Sequence, residues 1–186
     1  MPVEIRTATI EDIDGVREVQ HRTWLATYPN AELGITEEDI ESRFRESPEQ
    51  ASRYRRMLQR WISDDPLAYF WVATDGGRVV GFCRAMKDGG QNKIQAIYVL
   101  PEYQRQQIGK RLLERAFVWL GTQQDIFLDV ASYNEQAISF YRSFGFVPSG
   151  DKGHSGAAAL PSGAMIPEIE LVRRGKESGN GEIPES

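Results

Sequence analysis

The sequence predicts an α/β domain with a mixed central sheet flanked by helices, and three observations carry that reading. "LAYFWVATDGGRVVGFCRAMK" is two alternating runs joined by Asp-Gly-Gly, the pattern of an antiparallel hairpin. Downstream, "IQAIYVL", a helix pattern, "IFLDV" and a second helix pattern alternate, which calls for at least one parallel crossover. "IFLDV" itself is almost wholly apolar, as a strand buried inside a sheet is.

Taken in order, Val3 to Ala8 alternates enough for a short strand. The helix that follows places Ile13, Val16, Val19 and Trp24 near one face, carries acids in its first turn and stops at Pro29. Thr36 opens a second short helix through a capping pattern, "TEED". Ser47, Pro48 and Gln50 start a third, with Tyr54, Met57, Leu58 and Trp61 as its apolar stripe. The hairpin comes next, then a strand from Ile94 to Leu100. A helix over 108–120 buries Ile108, Leu112, Leu113, Ala116 and Leu120. Ser132 and Glu135 read as a capping box for "NEQAISFYRSF", which ends at Gly145. "GFVPSG" and "PEIELVRR" are closing strands, separated by a small-residue loop over 153–164 that has no periodicity.

At 186 residues, one well-buried core is the natural expectation, here a single domain over 1–174 with a disordered tail over 175–186. The net charge of −5 disfavours a partner made of nucleic acid or anionic membrane and is compatible with a cationic substrate. Cys83 is the only cysteine, so no intrachain disulfide forms and no metal is expected; in "VVGFCRAM" it reads as a buried, inert thiol. "MPVEIRTATIED" is not a signal peptide, and no apolar run approaches the roughly 20 residues of a membrane span, which points to the cytoplasm. A homodimer is compatible with the sequence, although nothing in it signals one.

The stretch "YQRQQIGKRLLERA" bears on function. A strand, a short loop and a helix start make an anion site, because first-turn N–H groups are unpaired and the peptide dipoles favour negative charge there. Arg105 and Lys110 add positive charge, and Gly109 lets backbone approach a ligand or the sheet. Alone, the spacing fits a polar surface loop with a glycine near a helix start better than it fits a phosphate cradle.

Two motifs together are more specific. "IYVLPEYQRQQIGKRLLE" followed by "LDVASYNEQAISFYRSFGF" resembles the GCN5-related N-acetyltransferase (GNAT) family. Gln104 and Gly109 match the ends of that family's acetyl-CoA signature, whereas Gln107 stands where its first glycine is expected. The resemblance runs over roughly Val3 to Val172 in element order and is sharp between Ile94 and Phe146.

The resemblance implies a GNAT-type fold and acetyl-CoA as cosubstrate. It puts Ile97, Tyr98 and Val99 beside the pantetheine arm and the amides of Gln104, Arg105, Gln107, Ile108 and Gly109 around the pyrophosphate, with Lys110 either adding charge there or standing as a surface lysine. Asn134 then touches the cofactor arm, or simply caps its helix. Tyr141 takes the role of general acid to the departing sulfur, with packing beside Ile138 and Phe144 as its alternative or additional role. At Gln107 the amide donor persists, and a left-handed backbone there costs on the order of 1 kcal/mol.

An alkylammonium is neutral in only roughly one part in two thousand at pH 7, so acetyl transfer needs a proton acceptor. Gln95 stands where some relatives place an acid and cannot serve. Glu102 is expected to point to solvent, and His21 and His154 are the only histidines. Trp24 and Tyr28, four apart, suit either an amine-binding cleft or the core, and their stretch loosely resembles the family's polyamine-acetylating members. The expected activity is acetyl transfer to a primary amine of a small polyamine-like molecule or a peptide. The alternative is a noncatalytic acyl-CoA-binding module.

Overall fold

A computed structural model of the chain describes residues 2–45, 47–88, 91–150, 160 and 162–176. In chain order it holds β1 (Glu4–Thr7), α1 (Ile13–Thr27), α2 (Glu37–Phe44), α3 (Pro48–Ser63), β2 (Ala68–Asp75), β3 (Arg78–Asp88) and β4 (Gln91–Val99). After these come α4 (Ile108–Leu120), β5 (Ile126–Ala131), α5 (Glu135–Arg142), β6 (Val147–Pro148) and β7 (Glu168–Arg173). No helix among the described residues is long and apolar enough to cross a membrane.

The Asp75–Gly76–Gly77 turn closes the hairpin, with both glycines at positive φ, where L side chains are strained. Seven strands line up in the order β1-β2-β3-β4-β5-β7-β6. Every neighbouring pair is antiparallel except β4 and β5, whose parallel pairing needs α4 as its crossover. A register shift interrupts the β3–β4 ladder: Arg84 faces Ala96 while Ala85 faces Ile94, so Gln95 is an extra residue on β4. Such a bulge bends its strand. β4 and β5 then pair only through Asn92–Ile126 and Lys93–Phe127 and part beyond that point.

The helix starts follow their sequence signals. Thr36 and Ser47 each cap through the box pattern, their hydroxyls accepting from Asp39 N and Gln50 N. α4 buries all five residues that its periodicity marks. Three expectations need correction. Asn134, not Ser132, caps α5: its Oδ1 accepts from Ala137 N at 3.0 Å, while Ser132 N donates to Pro167 O at 2.8 Å. On α3, Leu58 is buried and Met57 is 37% exposed. Ile62, absent from the expected stripe, is packed against the core and draws the buried face away from Met57. Gly175 and Lys176, expected to belong to the disordered tail, are tied to the fold, since Gly175 N donates to Asp125 at 2.8 Å and Lys176 N to Thr122 O at 2.8 Å. Residues 177–186 and most of the 153–164 loop lie outside the described residues.

Two apolar clusters form. The main one joins Ile13, Val16 and Val19 of α1 to the sheet and to α4 and α5, and Cys83 is fully buried within it. A smaller one gathers Ile35, Ile40, Ala131, Leu160 and Ile166, and Trp24 and Tyr28 pack against this second cluster. Trp24 therefore leaves the face it shares in sequence with Val16 and Val19.

Candidate active site

The parting of β4 from β5 opens a cleft of about 1130 Å³ that runs from α1 to the start of α4. Ile97, Tyr98 and Val99 form one wall and Asn134 and Tyr141 another; Gln104, Arg105, Gln107, Ile108, Gly109 and Lys110 lie at one end. Tyr28 reaches the opposite end. Trp24 does not line the cleft. It backs Tyr28 edge-to-face at 4.8 Å, with the Arg43 guanidinium 4.9 Å above its ring and its indole N–H buried without a hydrogen-bond partner.

Between β4 and α4 the chain makes a short 3₁₀ turn at Pro101–Tyr103 and then two left-handed residues, Arg105 and Gln107, both at φ 61°. Gln107 is the N-cap of α4, yet its side chain makes no cap hydrogen bond. The first-turn amides thus keep their donors for a ligand. Strain foreseen at one residue is present at two, on the order of 1 kcal/mol each. Gln104 braces the loop: its Nε2 donates to Val99 O at 3.1 Å and its Oε1 accepts from Gln136 Nε2 at 3.1 Å, tying the end of β4 to α5. The Lys110 ammonium lies 3.9 Å from Glu114 on the surface of α4.

Tyr141 is 7% exposed, packed against Phe140 and Phe146, and its hydroxyl has no hydrogen-bond partner among the described residues. Burial, with Cys83 and Tyr98 adding to it, pushes this phenol well above its ordinary value, so it keeps its proton. At the α1 end the Tyr28 and Tyr98 hydroxyls stand 3.3 Å apart, and Tyr133 donates to Tyr28 O at 2.8 Å. Burial raises the pKa of both Tyr28 and Tyr98.

Among the described residues, neither Glu102 nor His21 lines the cleft. Gln95 lines it but is an amide, donating to Met86 Sδ. Glu102 pairs with Arg22 at 2.8 Å on the surface. His21 bonds Glu41 at 3.1 Å and stacks on Phe44, away from the cleft; His154 lies outside the described residues. The carboxylates that do line the cleft, among the described residues, are Asp129 and Glu135. The sequence did carry a sign of the first: Asp129 is the one charge in the apolar run "IFLDV".

A strand pair split beside a helix N-terminus, with a protonated phenol between the two ends of the cleft, defines an acyltransferase-type site. The sequence profile of the acetyltransferase (GNAT) family matches residues 35–146, and the chain belongs to that family. As such it is an acetyl-CoA-dependent N-acetyltransferase. It is 30% identical over 149 residues to a spermidine N(1)-acetyltransferase of Thermoplasma acidophilum, spanning 78% of this chain and 89% of that one. It is 35% identical over 102 residues to the peptidyl-lysine N-acetyltransferase YjaB of Salmonella typhimurium, covering 54% of this chain and 66% of the relative. Among solved structures, the PaiA N-acetyltransferase of Thermoplasma acidophilum in complex with coenzyme A superimposes with a TM-score of 0.73 at 23% identity, over 94% of this chain and 99% of that one. The ribosomal-protein-S18-alanine N-acetyltransferase of Escherichia coli gives 0.63 at 17%, over 97% and 98%.

Proposed function

We propose that the chain moves an acetyl group from acetyl-CoA to a primary amine of a polyamine-like small molecule or a peptide, by direct attack within a ternary complex. The observation that carries this reading is one continuous cleft, with free α4 amides at one end and the Tyr28–Tyr98 pair at the other. The pyrophosphate sits on the amides from Gln104 to Lys110, which suit an anion without any side-chain charge. The Ile97–Val99 backbone and Asn134 flank the pantetheine arm. Asn134 Oδ1 is taken by its cap, which leaves its Nδ2 as the donor on offer. The amine enters beside Tyr28, where aromatic faces suit an alkylammonium. Tyr141 protonates the departing sulfur. The spermidine and peptidyl-lysine activities of the two relatives support both acceptor classes.

Release of CoA from acetyl-CoA, measured with spermidine and with a lysine peptide, tests the reading. Turnover with neither amine would remove it in favour of a binding module.

Two substitutions separate cofactor binding from folding. A Cβ on Gly109 would lie 3.6 Å from Phe140 Cζ, an ordinary contact. The fold therefore accepts alanine there, gaining up to about 1 kcal/mol of helix propensity. Gly109→Ala should melt no lower than wild type while binding CoA at least roughly tenfold more weakly, because the methyl takes the ligand's space. Unchanged affinity would move the pyrophosphate off this turn. Gln107→Gly relieves the φ 61° backbone and should add up to about 1 kcal/mol of stability. Its CoA affinity should be equal or slightly higher; a large loss would assign the glutamine side chain itself to the cofactor.

A further inference from the structure

Resting on the acetyl-transfer reading, we propose that Asp39 is a positioning residue for the amine. Its carboxylate pins the turn around Gly163 to α2, and that turn backs the wall on which the acceptor lies. A helix cap accounts for only half of what this carboxylate does. Its Oδ2 accepts from Thr36 N at 2.9 Å and from the Thr36 hydroxyl at 2.6 Å, closing the box that starts α2. Its Oδ1 serves a different element and accepts from Ser162 N at 3.1 Å, 123 positions downstream. An acid in the first turn of a helix is ordinarily solvated, whereas Asp39 is 5% exposed.

The turn leads from this bond to the cleft. Leu160 N donates to Ala164 O and Gly163 N to Leu160 O, with Gly163 at φ 83°. On either side of Ser162, Leu160 and Ile166 bury their side chains with Ile35, Ile40 and Ala131. Just before β7, Pro167 O accepts from Ser132 N, the residue after β5, at 2.8 Å. Tyr28 and Tyr133 pack on the same cluster and are joined to each other, Tyr133 donating to Tyr28 O at 2.8 Å. Tyr28, Ala131 and Tyr133 are the cluster's face towards the cleft, at the end given to the amine.

Apolar burial is non-directional and leaves such a turn free to slide. The Ser162 bond fixes it in one place. The Thr36 hydroxyl and amide lower the Asp39 pKa, and Ser162 adds to them, so at neutral pH Ser162 N meets a carboxylate. An ionised acid accepts at both ends. Asparagine must turn its NH₂ group towards one of the two N–H donors, Thr36 or Ser162.

Hydrogen exchange and kinetics read the pin separately. In Asp39→Asn the Ser162 amide should exchange at least about tenfold faster than in wild type, the low end for losing a hydrogen bond to a charged group. Thr36→Ala breaks the cap but leaves Oδ1 with Ser162; it should melt lower while Ser162 exchanges as in wild type. Spermidine and a lysine peptide serve as acceptors. With whichever wild type acetylates, Asp39→Asn should raise the amine's KM about tenfold and that of acetyl-CoA less than about twofold, whereas Thr36→Ala should raise neither. Leu160→Ala loosens the same turn, so adding Asp39→Asn to it should raise the amine's KM little further. Unchanged exchange in Asp39→Asn, equally fast exchange in Thr36→Ala, both KM values rising together, or full multiplication of the Leu160 and Asp39 effects would each overturn the assignment. Wild type inert towards both amines would instead overturn the acetyl-transfer reading, and the exchange comparison would still decide whether the pin exists.

Discussion

Tyr141→Phe should turn over roughly 10- to 100-fold more slowly than wild type at saturating substrates, while binding acetyl-CoA and melting nearly as before. The hydroxyl has no hydrogen-bond partner among the described residues, so its removal leaves no orphaned group behind. The ring keeps its contacts with Phe140 and Phe146, 5.3 and 5.8 Å away. What disappears, in the proposed mechanism, is the proton donor to the leaving sulfur. General acids contribute typically 10²- to 10⁴-fold, but a thiol with a pKa near 8.5 leaves fairly well unaided, which sets the low end. Loss confined to turnover marks an interaction made only in the transition state.

The same phenol has a pH signature. Its folded pKa lies above the unfolded value of about 10, so its contribution to stability is complete below pH 10 and declines as the pH rises above it. Phenylalanine lacks that linkage, and the variant should be less sensitive to alkali than wild type. Wild-type turnover by Tyr141→Phe, with chemistry shown to limit the rate, would take the tyrosine out of the mechanism.

Trp24→Ala should cost about 3 kcal/mol, the low end for truncating a buried tryptophan, because the ring is half-buried. For a chain of this length that is a drop of about 6–12 °C in melting temperature. The ring supports Tyr28 and Phe44 at 4.8 and 5.6 Å rather than lining the cleft. The acceptor's KM should rise only as far as Tyr28 is displaced. Tyr28→Phe, which keeps the ring but loses the bond to Tyr98, should change stability less and amine binding more. A Trp24→Ala protein melting like wild type, with an acceptor KM raised tenfold, would return the indole to the cleft.

What the chain reveals before folding follows from how local each cause is. The Asp-Gly-Gly turn, the Thr36 and Ser47 caps and the five buried positions of α4 are each written within one helical turn or one hairpin, and the structure has them as expected. Trp24 has the right spacing for the face of Val16 and Val19, but Ile35 and Ile40 form a competing apolar surface, and no periodicity within α1 encodes that choice. Asn134 and Ser132 both fit a cap by type; the Pro167 carbonyl, 35 positions downstream, decides between them. The loop that opens α4 was legible from its motif. Of Asp129 only the lone charge in "IFLDV" was legible, because its place opposite Gln95 exists only once the register of two strands is set.

The extra residue at Gln95 gives the site an unusual kind of permanence. The opening is a fault in a hydrogen-bonded ladder rather than a gap between lobes, so no hinge has to move for it to exist. Its depth is set by where the β4–β5 pairing stops, a quantity that changes only in whole residues. Exchanging side chains around it can repaint the walls without altering the bore. Diversification among enzymes built this way would therefore concentrate on the α1–α2 rim, where the second cluster meets the cleft and single substitutions change shape by degrees.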